Sequence, residues 1–267
     1  MRIRVAALVF FCLAVLTAST ASAQYPGSDR ATGENYHVEV GGYFWNPTPD
    51  IFLKIEGLGI PGSRIDFVED LGIEKKMMTQ MKVVLRPGTK HKFRFEYTPI
   101  RYDAIGRVRQ NVVFAGIEFP LDLEVATDLT WRAYRFGYEW DFLYMDRGFV
   151  GLLLDVKYTD VEARLSNVIA SEFARARAPI PTIGVVGRGY ILPNVSITGE
   201  FTAFKLPDIE GDYGGNYFDF DLYGTVNFTN NFGAQAGYRS FDVFFKVEND
   251  EGELNLRGFY FGGVARF

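Results

Sequence analysis

The most constraining feature of this sequence is a two-residue alternation between uncharged, mostly apolar residues and polar ones. It is clearest in residues 218–228, FDFDLYGTVNF, whose odd positions hold Asp219, Asp221, Tyr223, Thr225 and Asn227. Successive side chains of a β-strand point to opposite faces, whereas helical spacing would mix the two sets around one cylinder. The stretch is therefore predicted to be a strand with one apolar face and one polar face.

The same alternation recurs along the chain and predicts about ten strands, within a range of eight to twelve that the pattern allows. The other nine predicted strands lie within 35–45, 79–86, 92–98, 129–142, 150–159, 182–191, 195–203, 232–239 and 254–267. Short turns at 87–90, 144–148, 192–194 and 229–231 alternate with long connections at 46–76, 99–128, 160–178, 205–216 and 246–253. Such an asymmetry is typical of an up-and-down barrel with short turns at one end.

The amino-terminal residues have the organisation of a secretory signal peptide. Arg2 and Arg4 precede an apolar run over 5–16, and the small residues Ala21, Ser22 and Ala23 follow it. The run is too short for a spanning helix, and we expect cleavage after Ala23. Residues 24–34 would then form a short periplasmic segment. The one cysteine lies in the apolar run, so the mature chain has no thiol for a disulfide or a metal.

Composition and motifs exclude several classes of function. Removing residues 1–23, which carry two of the 28 basic residues, leaves 26 basic against 33 acidic residues, a net charge of −7. An acidic protein is a poor partner for nucleic acid. The sequence has no phosphate loop, dinucleotide fingerprint, metal-binding histidine cluster or heptad repeat, so we predict neither a cofactor nor a metal site.

The final predicted strand, LNLRGFYFGGVARF over 254–267, has Phe259, Phe261 and Phe267 on its uncharged face. This stretch resembles the carboxy-terminal signature of bacterial outer-membrane β-barrels. The resemblance implies an all-β fold, a transmembrane antiparallel up-and-down barrel over 35–267 in the Gram-negative outer membrane. It also implies that the last strand pairs with the first, that the three phenylalanines are an assembly signal for the barrel assembly machinery, and that outer-membrane lipids and lipopolysaccharide are partners.

Residues 65–74, within the first long connection, are similar to a stretch that recurs in uncharacterised outer-membrane barrels before their second strand. The amphipathic character of this segment predicts a loop that folds over the barrel mouth.

In such a barrel the apolar faces contact lipid, and the polar faces point inward. Arg132 is the exception, a charge on the lipid side, at the end of its strand where a long side chain reaches the headgroups. The interior is predicted to hold a charge network of mixed sign, which favours mutual neutralisation over a narrow selective pore. Its predicted members are Glu39, Lys82, Arg94, Glu96, Arg135, Glu139, Asp155, Lys157, Arg188, Glu200, Asp219, Asp221 and Arg239.

No catalytic residue is predicted. The histidines, His37 and His91, fall at the periplasmic ends of strands, whereas the omptin proteases, which are ten-stranded barrels, carry their chemistry at the outer rim. The carboxylates near 207–213 and 248–253 suit calcium or magnesium as ligands, but they do not match the EF-hand loop pattern and are better explained as solvated loops.

The sequence thus predicts a non-catalytic envelope protein with long extracellular loops. A narrow passive channel for small solutes is the alternative. A soluble periplasmic β-barrel and a loop-based hydrolase are weaker candidates.

Overall fold

The computed structural model describes residues 31–167, 171–209 and 213–267, so the predicted signal peptide and its cleavage site lie outside the described residues. The described chain is built from strands and connecting loops. The strands are β1 Val38–Lys54, β2 Ile65–Asp66, β3 Met78–Gly88, β4 His91–Arg107, β5 Val112–Phe114, β6 Ile117–Phe119, β7 Glu124–Met145, β8 Gly148–Ser166, β9 Ser171–Leu192, β10 Val195–Ile209, β11 Tyr213–Asn227, β12 Phe232–Val247 and β13 Asp250–Arg266. Among these residues there is no helix with the length and apolarity to span a bilayer.

Ten long strands pair antiparallel with their neighbours and close into a barrel, as predicted. Closure is made by β13 on β1, in a register that runs from Glu39 opposite Arg266 to Lys54 opposite Glu251. At this seam Arg266 Nε donates to Glu39 Oε2 over 2.6 Å, and both side chains are buried. The remaining short strands lie in loops: β2 extends the sheet beside β1, and β5 and β6 form a separate hairpin.

The two ends of the barrel differ in their connections. Tight turns join β3 to β4, β7 to β8, β9 to β10 and β11 to β12 at one end, here called the turn end. Residues 31–37 cross this end, where the backbone N–H of Thr32 donates to Pro193 O over 2.7 Å and that of His37 donates to Phe267 O over 2.7 Å. The opposite, loop end carries a first loop (residues 55–77) and a second loop (residues 108–123).

The strands continue further toward the loop end than the sequence predicted. β9 begins at Ser171 and β10 ends at Ile209, so most of the predicted connections at 160–178 and 205–216 are strand instead. The connection predicted at 246–253 shrinks to residues 248–249. β7 and β9 contain 22 residues each, about twice the 9–11 that a membrane strand requires. Backbone pairing therefore continues beyond the part of each strand that shows the predicted alternation.

One stretch of the wall is unpaired. In the part of the chain that the structure describes, β9 and β10 pair only from Leu192–Val195 to Ile183–Ala203, although β9 continues to Ser171 beside β8. Pro179 and Pro181 lie just beyond the last pair, and proline has no N–H to give to a neighbouring strand. The loop end is therefore split between these two strands.

The barrel interior has two layers. Near the turn end and through the middle it holds charged side chains, here called the ionic layer, and toward the loop end it holds large apolar side chains, here called the apolar layer. The charged residues that were predicted to face inward lie in the first layer, whereas the second layer has an apolar interior that the sequence analysis did not predict. The apolar layer includes Trp45, Ile51, Ile65, Phe67, Leu71, Ile73, Ile100, Phe114, Phe119, Leu129, Trp131, Phe241, Leu254 and Leu256.

Candidate functional site

The ionic layer contains all thirteen charged residues that the sequence placed inside the barrel. Eleven are buried, and Lys82 and Asp221 are partly buried. Five further charged side chains join them, so that the described part of the layer has nine basic and nine acidic members. The additional five are Glu34, Arg86, Lys92, Asp141 and Arg266.

Glu200 on β10 is the most heavily paired acid of the layer. Arg94 donates to both of its carboxylate oxygens, at 2.7 and 2.6 Å. Lys82 lies 3.2 Å from Oε1, and Arg135 lies 3.4 Å from Oε2. The hydroxyl of Tyr223 donates to Oε1 at 3.0 Å. One carboxylate therefore links cations from β3, β4 and β7 across the barrel.

A second group of pairs lies nearer the turn end. Glu139 accepts from Lys92 at 2.6 Å and from Arg94 at 2.8 Å. Lys92 also lies 2.9 Å from Asp141. Because Arg94 contacts both Glu139 and Glu200, this group and the Glu200 group form one continuous network.

A third group extends the network toward β11 and β12. Asp219 pairs with Lys157 at 2.5 Å and with Arg239 at 3.1 Å. Arg239 also pairs with Glu96. Each of these buried charges has a partner of opposite sign, which offsets the large cost of removing it from water.

The wall makes room for this network at Gly137. A Cβ atom at that position would collide with the carboxylate of Asp155, which pairs with Arg135 at 2.8 Å. Glycine therefore lets an acidic side chain lie flat against the neighbouring strand.

Glu34 brings the amino-terminal segment into the layer. Its carboxylate lies 2.8 Å from Arg188 and 3.6 Å from Arg86, and it accepts from the Tyr190 hydroxyl at 2.7 Å. Burial raises the pKa of Glu34, but the charges of Arg188 and Lys92 and the hydrogen bonds from Arg188 and Tyr190 together outweigh burial and hold that pKa below the ordinary value. The segment thus covers the turn end as a charged member of the network.

For four of the five additional residues of the ionic layer, the alternation along the strand already indicates an inward-facing side chain. Arg86, Lys92 and Asp141 alternate with lipid-facing neighbours, and Arg266 has the opposite parity to Phe267. Glu34 gives no such signal, because it precedes the first strand.

The apolar layer lies next to the ionic layer, on the side of the loop end. Trp45 packs edge-on against Phe241 with ring centroids 5.3 Å apart, and Trp131 lies 6.0 Å from the same ring. Both loops contribute to it: Ile65 and Phe67 come from the first loop, as the predicted mouth-covering segment requires, and the second loop adds apolar residues of its own.

Arg132 lies on the exterior, where the sequence placed it, but it is not alone there. Its guanidinium lies 3.4 Å from Asp160, which also accepts from Arg175 at 2.8 and 2.6 Å and from Arg177 at 3.3 Å. Hydrogen bonds from Arg175 and from Arg177 hold the pKa of Asp160 at about 2, against an ordinary value of 3.8. The sequence reasoning missed this cluster because it assigned 160–178 to a loop.

The two histidines lie at the turn end. His37 Nδ1 lies 3.2 Å from Arg86 O, and His91 Nδ1 lies 2.6 Å from the Tyr138 hydroxyl. Within residues 31–167, 171–209 and 213–267, no three His, Cys, Asp or Glu side chains converge as metal ligands would. Of the acidic connections, 248–249 is a tight turn, and residues 210–212 lie outside the described part of the chain.

The three phenylalanines of the predicted assembly signal lie on the exterior of β13 and just after it. Phe259, Phe261 and Phe267 are all exposed, as a lipid-facing row would be. Phe261 also packs against Phe44 across the seam, with centroids 5.7 Å apart.

The architecture is similar to that of a solved outer-membrane protein. Outer membrane protease OmpT from Escherichia coli aligns with a TM-score of 0.57 at 10% identity, over 93% of this chain and 100% of that chain. The fold is that of the Gram-negative outer-membrane β-barrels. Ail, the attachment invasion locus protein of Yersinia pestis, aligns at a TM-score of 0.37 and 10% identity, over 86% of this chain and 99% of that one. The Pseudomonas putida toluene transporter TodX aligns at 0.37 and 7% identity, over 90% of each chain.

No family model matches the sequence, and no curated protein matches it. At 10% identity the likeness to OmpT concerns the fold alone.

Proposed function

We propose that this protein is an integral outer-membrane barrel, sealed to solutes and without catalytic activity, whose loop end faces the outside of the cell. The single observation that carries the proposal is the filling of the interior by an ion-paired layer beneath an apolar layer. The turn end would then face the periplasm, which agrees with the short periplasmic turns of such barrels.

The exterior supports a membrane location. Exposed apolar side chains follow one another around the wall at the height of the ionic layer, among them Phe93, Phe136, Leu154, Ile183 and Phe220. A continuous apolar surface of this kind is rare on soluble proteins, which seldom expose patches above a few hundred Å². A lipid environment covers it without further partners.

The ionic layer supports a sealed barrel over a channel. Equal numbers of acidic and basic side chains neutralise one another, and the contacts of Glu200 alone reach three strands on other parts of the wall. A conducting path would require these pairs to separate, which leaves buried charges without partners at a cost of about 3–5 kcal/mol for each broken pair.

Conductance across planar bilayers tests this step. The mature chain, refolded in detergent and added to a bilayer, is expected to give no current steps, whereas a porin run in parallel gives them. Reproducible steps whose ion selectivity changes in an Arg94→Glu or Arg135→Glu variant would instead establish the passive channel.

Membrane location has its own test. The folded protein is expected to migrate faster on a gel before boiling than after it and to fractionate with outer membranes. Amino-terminal sequencing of the mature chain is expected to begin at Gln24. Release of the mature chain in soluble form without detergent would contradict the location.

Peptide cleavage is the enzymatic rival, because OmpT, which shares the fold, is a protease. The positions of His37 and His91, both at the turn end, speak against chemistry at the loop end. Incubating the refolded protein with a peptide library and with phospholipid is expected to leave both unchanged. Cleavage that survives purification of the folded form would refute a non-catalytic role.

We also propose that Phe259, Phe261 and Phe267 are read by the barrel assembly machinery. Phe267→Ala is expected to lower the amount of folded barrel in cells while leaving refolding in detergent unchanged. Phe228→Ala is the matched control, because Phe228 is an exposed phenylalanine at the same end of the barrel. Equal losses for the two variants would show that the effect is membrane anchoring and not recognition.

A further inference from the structure

Exterior side chains on β4, β7, β8 and β9 form rows across the wall, because the register of these strands sets them opposite one another. The last row of the apolar band is aromatic: Tyr97 lies opposite Tyr134, Tyr134 opposite Tyr158, and Tyr158 opposite Pro179. The rings of Tyr97 and Tyr134 stack at 4.8 Å. Tyrosines in such a row mark the interface between the hydrocarbon core and the headgroups.

The next row toward the loop end is charged. Arg132 on β7 lies opposite Asp160 on β8, which lies opposite Arg177 on β9. Arg175 and Glu162 form the pair one row higher, and Arg164 follows in the row above that. These six residues, 132, 160, 162, 164, 175 and 177, are called the rim cluster below.

The geometry of the rim cluster is fixed by Asp160. Arg175 grips its carboxylate with two hydrogen bonds at 2.8 and 2.6 Å, and Arg132 and Arg177 approach the same carboxylate at 3.4 and 3.3 Å. The Asp160 side chain is only 12% exposed, whereas those of Arg132, Arg175 and Arg177 are 44%, 32% and 51% exposed. The acid is thus covered by guanidinium groups that still face outward.

The charge of the rim cluster is not balanced. It contains four arginines and two acids, a net charge of +2, on a protein whose net charge is −5. Elsewhere on the wall, the exterior pairs among the described residues are one to one, for example Arg257 with Asp242 at 3.7 Å and Arg107 with Asp122 at 3.5 Å. An arginine has five N–H donors in a planar fork that fits phosphate, so the contacts to Asp160 leave donors directed to the surface.

We propose that the rim cluster binds the phosphate groups of a phosphorylated glycolipid in the outer leaflet, of the lipopolysaccharide type. The proposal rests on the membrane location argued above. Phosphates of such a lipid lie at the headgroup level, directly beyond the tyrosine row, and its acyl chains would cover the apolar rows beneath. Arg132, Arg175 and Arg177 would donate to phosphate oxygens while Asp160 holds the three guanidinium groups in place.

The test uses the mature chain folded in detergent and titrated with three probes, with native mass spectrometry as the readout. The probes are bis-phosphorylated lipid A, the same lipid after enzymatic removal of its phosphates, and inorganic phosphate. The variant R175Q/R177Q removes two arginines of the rim cluster. The matched control, R107Q/R257Q, removes two exterior arginines from isolated ion pairs and causes the same change in net charge.

The wild-type protein is expected to bind the phosphorylated lipid at least about tenfold more tightly than the dephosphorylated one, since each hydrogen bond to a charged group contributes about one factor of ten. R175Q/R177Q is expected to lose that preference, and the control is expected to keep it. If the double variant does not refold, Arg177→Gln alone replaces it, because that side chain is the most exposed of the three. The single variant is expected to lose a smaller part of the preference.

Three results would overturn the proposal: equal binding of the two lipids, an undiminished preference in R175Q/R177Q, or inorganic phosphate that competes as well as the lipid does. Gel migration before and after boiling separates this failure from that of the proposed function. A wild-type chain that folds and is heat-modifiable but shows no lipid preference removes only the rim-cluster site. A chain that does not form the barrel in detergent or bilayers removes both.

Discussion

The ionic and apolar layers are lined by the same strands, yet they follow opposite rules. Along β1, the inward face begins with Glu39 and continues with Trp45 and Ile51, while the outward face changes from Phe44 to Asp50. Up to Phe44 the strand is apolar outside and charged inside. Beyond it, the outward face is mostly polar and the inward face is apolar.

β7 shows the same reversal in the opposite chain direction. From its carboxyl end, the inward face has Glu139 and Arg135 and then Trp131 and Leu129, and the outward face becomes charged at Arg132. Two strands on different parts of the wall therefore reverse polarity along their length, and on β7 the reversal lies next to the tyrosine row.

The surroundings of the wall explain the change. Where lipid lies outside, the exterior must be apolar, and the chain can place charges inside only as paired groups. Where water lies outside, the ordinary hydrophobic effect applies, and a soluble type of core forms inside the same barrel. The polarity of each interior layer is thus set by the solvent on the other face of the strand.

Removing an acid from the ionic layer tests the contrast between the layers most severely. Glu200→Gln leaves three cations of the ionic layer short of a partner and is expected to lower the free energy of unfolding by about 3–5 kcal/mol. Glu253→Gln, which loses an exterior pair with Arg64 at 3.6 Å, is expected to cost less than about 1 kcal/mol. Urea unfolding in lipid vesicles measures both. Equal losses would mean that the ionic layer is hydrated like a surface.

A cavity in the apolar layer is the next test. Leu129→Ala removes a buried side chain and is expected to cost about 2–4 kcal/mol, whereas Ile105→Ala at a 79% exposed site is expected to change stability by less than about 0.5 kcal/mol. Trp45 and Trp131 lie in this layer, so their fluorescence reports its unfolding. If Leu129→Ala lowers the free energy of unfolding by less than about 1 kcal/mol, the apolar layer is not a packed core.

A weaker effect concerns the response of the rim to acid. The pKa of Asp160 is lowered to about 2, so its ion pairs stabilise the folded state fully above about pH 4 and lose that contribution as the pH falls through about 2. Asp160→Asn lacks this contribution at every pH. The difference in urea midpoint between wild type and variant is therefore expected to shrink between about pH 4 and about pH 2. A constant difference over that range would contradict the assignment of the ion pairs to the ionised acid.

The part of the barrel around the ionic layer could be predicted from the sequence, because contact with lipid requires a strict alternation of apolar and polar residues there. In 218–228, for example, every residue has the face that its parity indicates. The part of the barrel near the loop end was harder to predict, because water on the outer face permits charged, small or polar residues there. The alternation of Arg175 and Arg177 with alanines was nevertheless visible within the predicted loop at 160–178.

The partners within the ionic layer could not be predicted. Parity places Glu200 and Arg94 inside the barrel, but they are 106 residues apart, and their contact depends on how the strands are staggered when the wall closes. The rim cluster depends on register in the same way, since Arg132 and Asp160 meet only because β7 and β8 pair as they do.

The split between β9 and β10 bears on how copies of this protein behave when they are crowded side by side. An unpaired strand edge is a template on which another chain can add a strand and start aggregation. Where this edge leaves the wall, Pro179 and Pro181 interrupt the series of donors that an incoming strand would need. The two prolines therefore hinder the addition of a strand from a neighbouring molecule, although the edge between β9 and β10 is unpaired.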